Sequence, residues 1–417
     1  MKNTPKSLRL QIGIFGRTNV GKSSFLNMVA GQDVAITSPV PGTTTDVVEK
    51  TMELLPVGPV VFLDTAGIDD TSELSSERIR KTKKIFDRSD ILILLTEAGK
   101  WGKYENSIMN EASLRDIPVI VAVNRSDENY PSEKFLEELK NKTSYIMVIS
   151  SVDGKRRNEY IVGLKAHIME ICPDDFLNPP KLIGDLLPEG GMAVLIVPID
   201  KEAPKGRIIL PQVQAIRDAL DSDCSTVVVK ENGYSDVLKR LKKQPDLVVC
   251  DSQVVDRMVR ETPPEVKCTT FSILFARYKS DIVENARAAG WIGTLKPGDR
   301  VLIAEACSHH PIEDDIGRVK IPAWLKKYAG GALDIDVSAG RDYPEDLKDY
   351  KLVIHCGSCM LTRRETLARM YRARRAGVMV TNYGMCIAYT QGVIERVLAP
   401  FPEALSAFKE KQGSYGS

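Results

Sequence analysis

Two short blocks near the C-terminal end carry residue types that bind metals. Cys307-Ser308-His309 is answered by His355-Cys356-Gly357-Ser358-Cys359, which places three of the eight cysteines beside three of the four histidines. Thiolate and imidazole are the ligands that iron–sulfur clusters and zinc select. An iron–sulfur cluster is one reading, and a tetrahedral zinc site is another. Buried cysteines with incidental histidines are the reading without metal. Each block follows a strand-like run, 300–306 before the first and 351–354 before the second. If those runs are neighbouring parallel strands, both blocks meet at one sheet edge, where open α/β folds bind their ligands.

A second stretch is built for phosphate. The run Leu8–Phe15 reads as a buried strand. It leads into Gly16-Arg17-Thr18-Asn19-Val20-Gly21-Lys22-Ser23, with a helix expected over Ser24–Ala30. GxxxxGKS between strand and helix is the context a phosphate-binding loop requires. Its glycines let backbone N–H groups wrap phosphates, and the helix N-terminus adds a favourable dipole. Lys22 would reach the β- and γ-phosphates, and the Ser23 hydroxyl would bind Mg²⁺.

The following segments narrow the nucleotide. Pro41–Asp46 is rich in hydroxyls, and Thr44 is a candidate second Mg²⁺ ligand. Strand 60–63 delivers Asp64-Thr65-Ala66-Gly67, where Asp64 suits the metal's water shell and the Gly67 N–H suits a γ-phosphate. Strands 91–95 and 119–123 follow. The latter ends at Asn124-Arg125-Ser126-Asp127, which resembles the guanine-reading NKxD of GTPases. A carboxylate at Asp127 can accept from both N1–H and N2–H₂ of guanine, which adenine does not offer. Ser150 and Ser151 fall in the last base-contacting loop.

The Pro41–Asp46 loop resembles the translation-factor-related GTPases that include TrmE and Era. By that resemblance Asn19 would ligate K⁺ against the phosphates, in place of an arginine finger. Three positions depart from the pattern. Ile68 stands where Ras-like proteins carry glutamine. Ser76, with Glu77 one position on, falls where TrmE carries its catalytic glutamate. Arg125 replaces the usual lysine. Glu77 is therefore a candidate catalytic residue for positioning water, and Lys22 and Asn19 are the other catalytic candidates, for the phosphates and K⁺.

The elements that must position these residues fit a soluble multidomain chain of 417 residues. Hydrophobic content of 43% and charged content of 27% are those of a globular protein, and a net charge of +1 gives no field for nucleic acid. No apolar run approaches the roughly 18 residues of a membrane span. Sparse cysteines and the lack of a secretory apolar core point to a reducing cytoplasm.

The expected class is α/β in three parts: a P-loop GTPase domain over 1–173, a small α/β domain over 179–270 and a Rossmann-like α/β domain over 271–417. In the middle part strands are expected at 192–199, 225–230, 246–250 and 269–274. Cys224, Cys250 and Cys268 lie in or beside them and read as core cysteines. With no catalytic constellation, that part suits self-association. In the last part a helix is expected from Tyr278 to about Thr294 and a short one at 344–349. The basic helix Thr362–Ala376 is a solvated face or a docking face for an acidic partner.

A P-loop GTPase with Asn19, a middle domain, then CxH and HCxxC together resemble the HydF family, GTPases that mature [FeFe]-hydrogenase. The resemblance spans essentially the whole chain. It implies a [4Fe–4S] cluster on Cys307, Cys356 and Cys359, with a fourth, exchangeable ligand from His355, His309, Glu313 or Asp314. It also implies a scaffold that receives a di-iron precursor made with the radical-SAM maturases HydE and HydG, and passes it to apo-hydrogenase. A homodimer through the middle domain would belong to that picture. A potassium-activated GTPase of RNA modification or ribosome assembly, with a structural zinc module, is the alternative.

Overall fold

The computed structural model describes residues 5–31, 48–64, 76–198, 208–306, 315–340 and 343–413. They fall into two compact units, 1–179 and 180–417.

The first unit is built on β1 (Leu10–Gly16), buried along its whole length. Leu10, Ile12 and Ile14 join one core with Phe25, Leu26 and Phe62. Phe15 joins the other with Val61, Leu63 and Leu94. Successive side chains of a strand point to opposite faces, so a run apolar at nearly every position is the sequence of a strand covered on both sides. β2 (Val48–Leu54), β3 (Gly58–Asp64), β4 (Ile91–Glu97), β5 (Val119–Asn124) and β6 (Ile146–Val148) complete a sheet of order β2-β3-β1-β4-β5-β6. Only β2 runs antiparallel to its neighbour.

The second unit holds two parallel four-stranded sheets. β7 (Met192–Ile196), β8 (Ser225–Val229), β9 (Leu247–Cys250) and β10 (Lys267–Thr270) have the order β10-β9-β7-β8. β11 (Arg300–Ala304), β12 (Asp334–Ser338), β13 (Leu352–His355) and β14 (Met379–Asn382) have the order β12-β11-β13-β14. One hydrophobic core joins both sheets, including Val194, Val249, Leu274, Phe275, Ile303 and Ile354. Cys224, Cys250, Cys268 and Cys386 are buried in it, which for the first three agrees with their reading as core residues.

Two expectations fail between the sheets. The strand expected at 269–274 stops at Thr270, and Phe271–Lys279 is a helix. The Thr270 hydroxyl caps that helix by accepting from the Ile273 N–H at 3.2 Å. The single helix expected from Tyr278 is divided: Asp281 caps a new helix, Ile282–Ala289, and a 3₁₀ turn follows over Gly290–Thr294. The run Phe271–Ala276 is nearly all apolar, so its periodicity does not separate a buried strand from a buried helix, and the polar cap decides. The helix expected at 344–349 does not form, and those residues are irregular.

Strand order places the metal-binding blocks. From β11 the chain goes to β12 on one side and then crosses to β13 on the other. β11 and β13 are neighbours in parallel register, ending with Ala304 opposite His355. The order reverses between them, which opens a crevice beyond their C-terminal ends. Among the described residues no helix is long and apolar enough to cross a membrane.

Candidate functional site

In the first unit the chain leaves β1 through a loop with left-handed backbone at Asn19 (φ 64°) and Gly21 (φ 96°) and enters the helix Lys22–Ala30. A Cβ on Gly21 would lie 2.4 Å from the Asn124 amide nitrogen, so the close approach of the base-reading loop also demands glycine there. The Lys22 ammonium is buried and donates to the carbonyls of Gly16 at 2.6 Å and Arg17 at 3.1 Å. It therefore lies inside the loop that would wrap a phosphate chain. Ser23 and Ser24 are exposed in the first helical turn, as are Arg17, Thr18 and Asn19 in the loop, while Val20 is buried. Asp64 is buried at the end of β3, in register with Ile14 of β1, and so on the strand next to the loop.

Asn124 ties the base-reading loops together. Its amide donates to the Val20 carbonyl at 2.8 Å, and its carbonyl accepts from the Ser151 N–H at 3.0 Å and the Ser151 hydroxyl at 2.9 Å. Arg125 donates to the Asn19 carbonyl at 2.8 Å. The arginine that departs from NKxD thus holds the phosphate loop. Asp127 is exposed in the same turn. The Ser150 hydroxyl is buried and has no hydrogen-bond partner among the described residues.

Arg17 and Glu105 form a pair that the sequence does not announce. The guanidinium grips the fully buried carboxylate at 2.6 and 2.7 Å. Burial pushes Glu105 up, but the Arg17 and Gly102 donors outweigh it and hold the carboxyl below its usual range. Thr44, Gly67 and the side chain of Glu77 lie outside the described residues, so the Mg²⁺ set is seen only through Ser23 and Asp64.

In the second unit the crevice between β11 and β13 receives the second cysteine block. The Cys356 sulfur accepts from the Ala306 N–H at 3.1 Å and the Ser358 N–H at 3.4 Å. Ala306 directly precedes Cys307, which with His309, Glu313 and Asp314 lies outside the described residues. Ser358 has left-handed backbone (φ 53°), turning the chain so that Cys359 follows Cys356 by one tight loop. Burial raises the Cys356 thiol to about 11 and also raises Cys359, against which Lys279 acts in the opposite sense. Backbone donors aimed at a partly buried sulfur fit a metal-held thiolate, and metal binding would displace the proton. The chemistry of the residues in place therefore fits a thiolate-bound cluster.

His355 points into the protein. Its Nδ1 lies 3.0 Å from the Ser358 hydroxyl, and its Nε2 lies 3.4 Å from the Arg369 guanidinium. Burial and the Arg369 charge lower its pKa to about 3, so it is neutral. Because arginine only donates, Nε2 must accept, which puts the proton on Nδ1. Both ring nitrogens are engaged, an arrangement that turns His355 away from the role of fourth ligand. Behind the loop, Lys279 donates to the carbonyls of Ser358 at 3.0 Å and Cys359 at 3.4 Å, and to that of Leu361. Lys279 ends the helix Phe271–Lys279, and no spacing in the sequence links it to Cys356.

The basic helix, Arg363–Arg375, spends much of its charge internally. Arg363 donates to the Tyr278 carbonyl at 2.8 Å, Arg369 to the Gly340 carbonyl at 2.5 Å, and Arg374 pairs with Glu284. Among the described residues no group of three or more Cys, His, Asp or Glu gathers in metal-binding geometry.

Comparison with known proteins matches the chain in three successive stretches. A family model described as a 50S ribosome-binding GTPase matches residues 11–125. The tRNA modification GTPase MnmE of Prochlorococcus marinus is 32% identical over 155 residues, 36% of this chain and 33% of that protein. GTPase Era of Halothermothrix orenii is 28% identical over 236 residues, 54% of this chain and 77% of that protein. The chain thus spans about a third of the length of the tRNA modification GTPases it matches. A crystal structure of Aquifex aeolicus Era bound to GDP.AlF4- is 21% identical, covers 53% of this chain and 93% of that one, and superposes with a TM-score of 0.33. The G domain of the T. maritima FeoB iron transporter is 19% identical, covers 40% of this chain and 99% of that one, with a TM-score of 0.31.

The rest of the chain matches two further models. A hydrogen maturase F dimerization domain covers 182–280, and a hydrogen maturase F tetramerization domain covers 282–400. Self-association, expected from the middle part alone, is thus supported for both. Together these two models account for more than half of the residues, and the GTPase domain precedes them in order: the chain belongs to the hydrogen maturase F (HydF) family.

Proposed function

We propose that the chain is a GTP-hydrolysing scaffold that holds a [4Fe–4S] cluster on Cys307, Cys356 and Cys359 and hands a di-iron precursor to apo-[FeFe]-hydrogenase. The observation that carries this is the Cys356 sulfur in the β11/β13 crevice, bonded to the residue before Cys307. Three cysteines leave one iron of a cubane without a thiolate. A site with an exchangeable ligand can give that ligand up to another metal fragment, whereas a four-cysteine site has no replaceable ligand to give. His309, Glu313 and Asp314 remain the candidates for that ligand.

In the nucleotide site Lys22 would neutralise the β- and γ-phosphates, while Ser23, Asp64 and Thr44 would hold Mg²⁺ directly or through water. Asn19 would bring K⁺ against the phosphates, and Asp127 would read guanine. The phosphate and cluster sites lie on separate sheets in separate units, which suits nucleotide as a regulator of partner association more than as a driver of cluster transfer. The parts 1–173, 179–270 and 271–417 would then serve nucleotide binding, dimerisation and cluster binding. HydE and HydG would supply the precursor, in the cytoplasm and without nucleic acid.

Protein loaded with a synthetic di-iron dithiolate complex should activate apo-hydrogenase on mixing, with or without GTP, and Cys307→Ser should fail. No hydrogen evolution from demonstrably loaded protein would reject the carrier reading. It would favour the RNA-linked alternative, whose support is limited to the GTPase part.

A further inference from the structure

Lys279 sits behind the CxxC loop with 1% of its surface exposed. An ammonium has three donors, and three carbonyls receive them: Ser358, Cys359 and Leu361. A neutral amine would have only two, so this geometry calls for the charged form. The residue belongs to the helix Phe271–Lys279, whose Phe271, Ile273, Leu274 and Phe275 are buried in the core. Its stem is therefore fixed by packing on one element while its head holds the loop of another.

We propose that Lys279 is the positioning residue of the CxxC loop and that its buried positive charge raises the reduction potential of the cluster held there. The inference rests on the cluster reading above. One-electron reduction by an external low-potential donor adds a negative charge to an already anionic cluster. A fixed cation close by stabilises the reduced form more than the oxidised one, and water does not screen it in the interior. Both thiols and the Glu365 carboxyl lie near enough to interact electrostatically with the Lys279 ammonium. Among the described residues no ion pair holds it; its hydrogen-bond partners are neutral carbonyls, so its charge remains available to act on the cluster.

The test uses the full chain, reconstituted anaerobically with ferrous iron and sulfide, as wild type, Lys279→Met and Lys279→Arg. Iron content, circular dichroism and an EPR-monitored potentiometric titration are measured on each. Lys279→Met should keep its fold, and at a fixed poise its reduced-to-oxidised ratio should fall about tenfold, which is 59 mV for one electron. Lys279→Arg, which keeps the charge, should stay within about twofold of wild type on the same scale. Loss of iron from folded Lys279→Met but not from Lys279→Arg would also bear out the positioning role. Equal potentials in wild type and Lys279→Met, or an equally low potential in Lys279→Arg, would overturn the proposal. If Lys279→Met does not fold, Lys279→Arg decides: a cluster at the wild-type potential supports the proposal, and a folded chain without a cluster overturns it. A wild-type chain that binds no iron at all would instead remove the cluster reading on which the inference stands.

Discussion

The backbone N–H of Ala306 donates to the sulfur of Cys356 at 3.1 Å, joining the loop after β11 to the loop after β13. That bond brings the residue before Cys307 to the CxxC block, although 50 positions separate the bonded residues in sequence. A parallel sheet whose strand order reverses between β11 and β13 is what allows it.

The inward orientation of His355 separates it from the cysteines in any mutational series. His355→Ala should retain the cluster, because both ring nitrogens are spent on Ser358 and Arg369. It should still cost about 2 kcal/mol of stability by leaving a buried guanidinium and hydroxyl short of partners. Chemical denaturation and iron analysis of the same preparation check both halves. Loss of iron from a fully stable His355→Ala chain would make His355 a ligand after all.

Lys22→Ala should reduce GTP turnover by about 10²-fold or more while leaving the fold intact, since it removes the charge placed for the β- and γ-phosphates. Steady-state phosphate release, with circular dichroism as control, is the measurement. Asp127→Asn should shift preference from GTP towards xanthosine triphosphate, because an amide complements a xanthine edge where a carboxylate complements guanine.

Turnover should be faster in K⁺ than in Na⁺ at equal ionic strength, and Asn19→Ala should abolish the difference. Arg125→Ala should weaken the potassium response as well, since Arg125 holds the Asn19 carbonyl. Equal rates in the two salts, unchanged by Asn19→Ala, would remove potassium from the account.

The Arg17–Glu105 pair predicts a pH dependence for the N-terminal unit. The folded carboxyl titrates below its ordinary value of 4.5, so it stabilises the fold above that pH, and the contribution disappears as pH falls through the folded value. Acid unfolding should therefore steepen below about pH 4.5 and be shallower in Glu105→Gln. Arg17→Ala, by stranding a buried carboxylate, should cost about 2 kcal/mol at neutral pH, a figure kept low because the arginine is half exposed. Urea titrations of the three chains across pH 3–7 check this.

Much of this architecture can be read from residue patterns. β1, β3, β4 and β5 are apolar runs long enough to be buried on both faces, and the glycines and lysine after β1 are specific to a phosphate loop. The neighbouring strands ahead of the two cysteine blocks are also visible, because each block ends an apolar run. The contacts that arrange the sites are not visible. Lys279, Glu105 and Arg369 are single charged residues whose partners lie 79 to 88 and 14 to 29 positions away, and no period links such pairs. The helix Phe271–Lys279 was hidden for a related reason: an unbroken apolar run carries no phase, and a hydroxyl at Thr270 selects the helix. Likewise the basic helix reads in sequence as a solvated face or a docking face, whereas Arg363, Arg369 and Arg374 find partners within the protein.

The measurement closest to the central claim is metal and sulfide analysis after anaerobic reconstitution. It compares wild type with the chain in which Cys307, Cys356 and Cys359 are all serine. The account predicts about four irons and four sulfides per wild-type chain, with visible absorbance that bleaches on reduction, and none in the triple variant. Zinc in place of iron under strict anaerobiosis, or equal iron in the two chains, would contradict it.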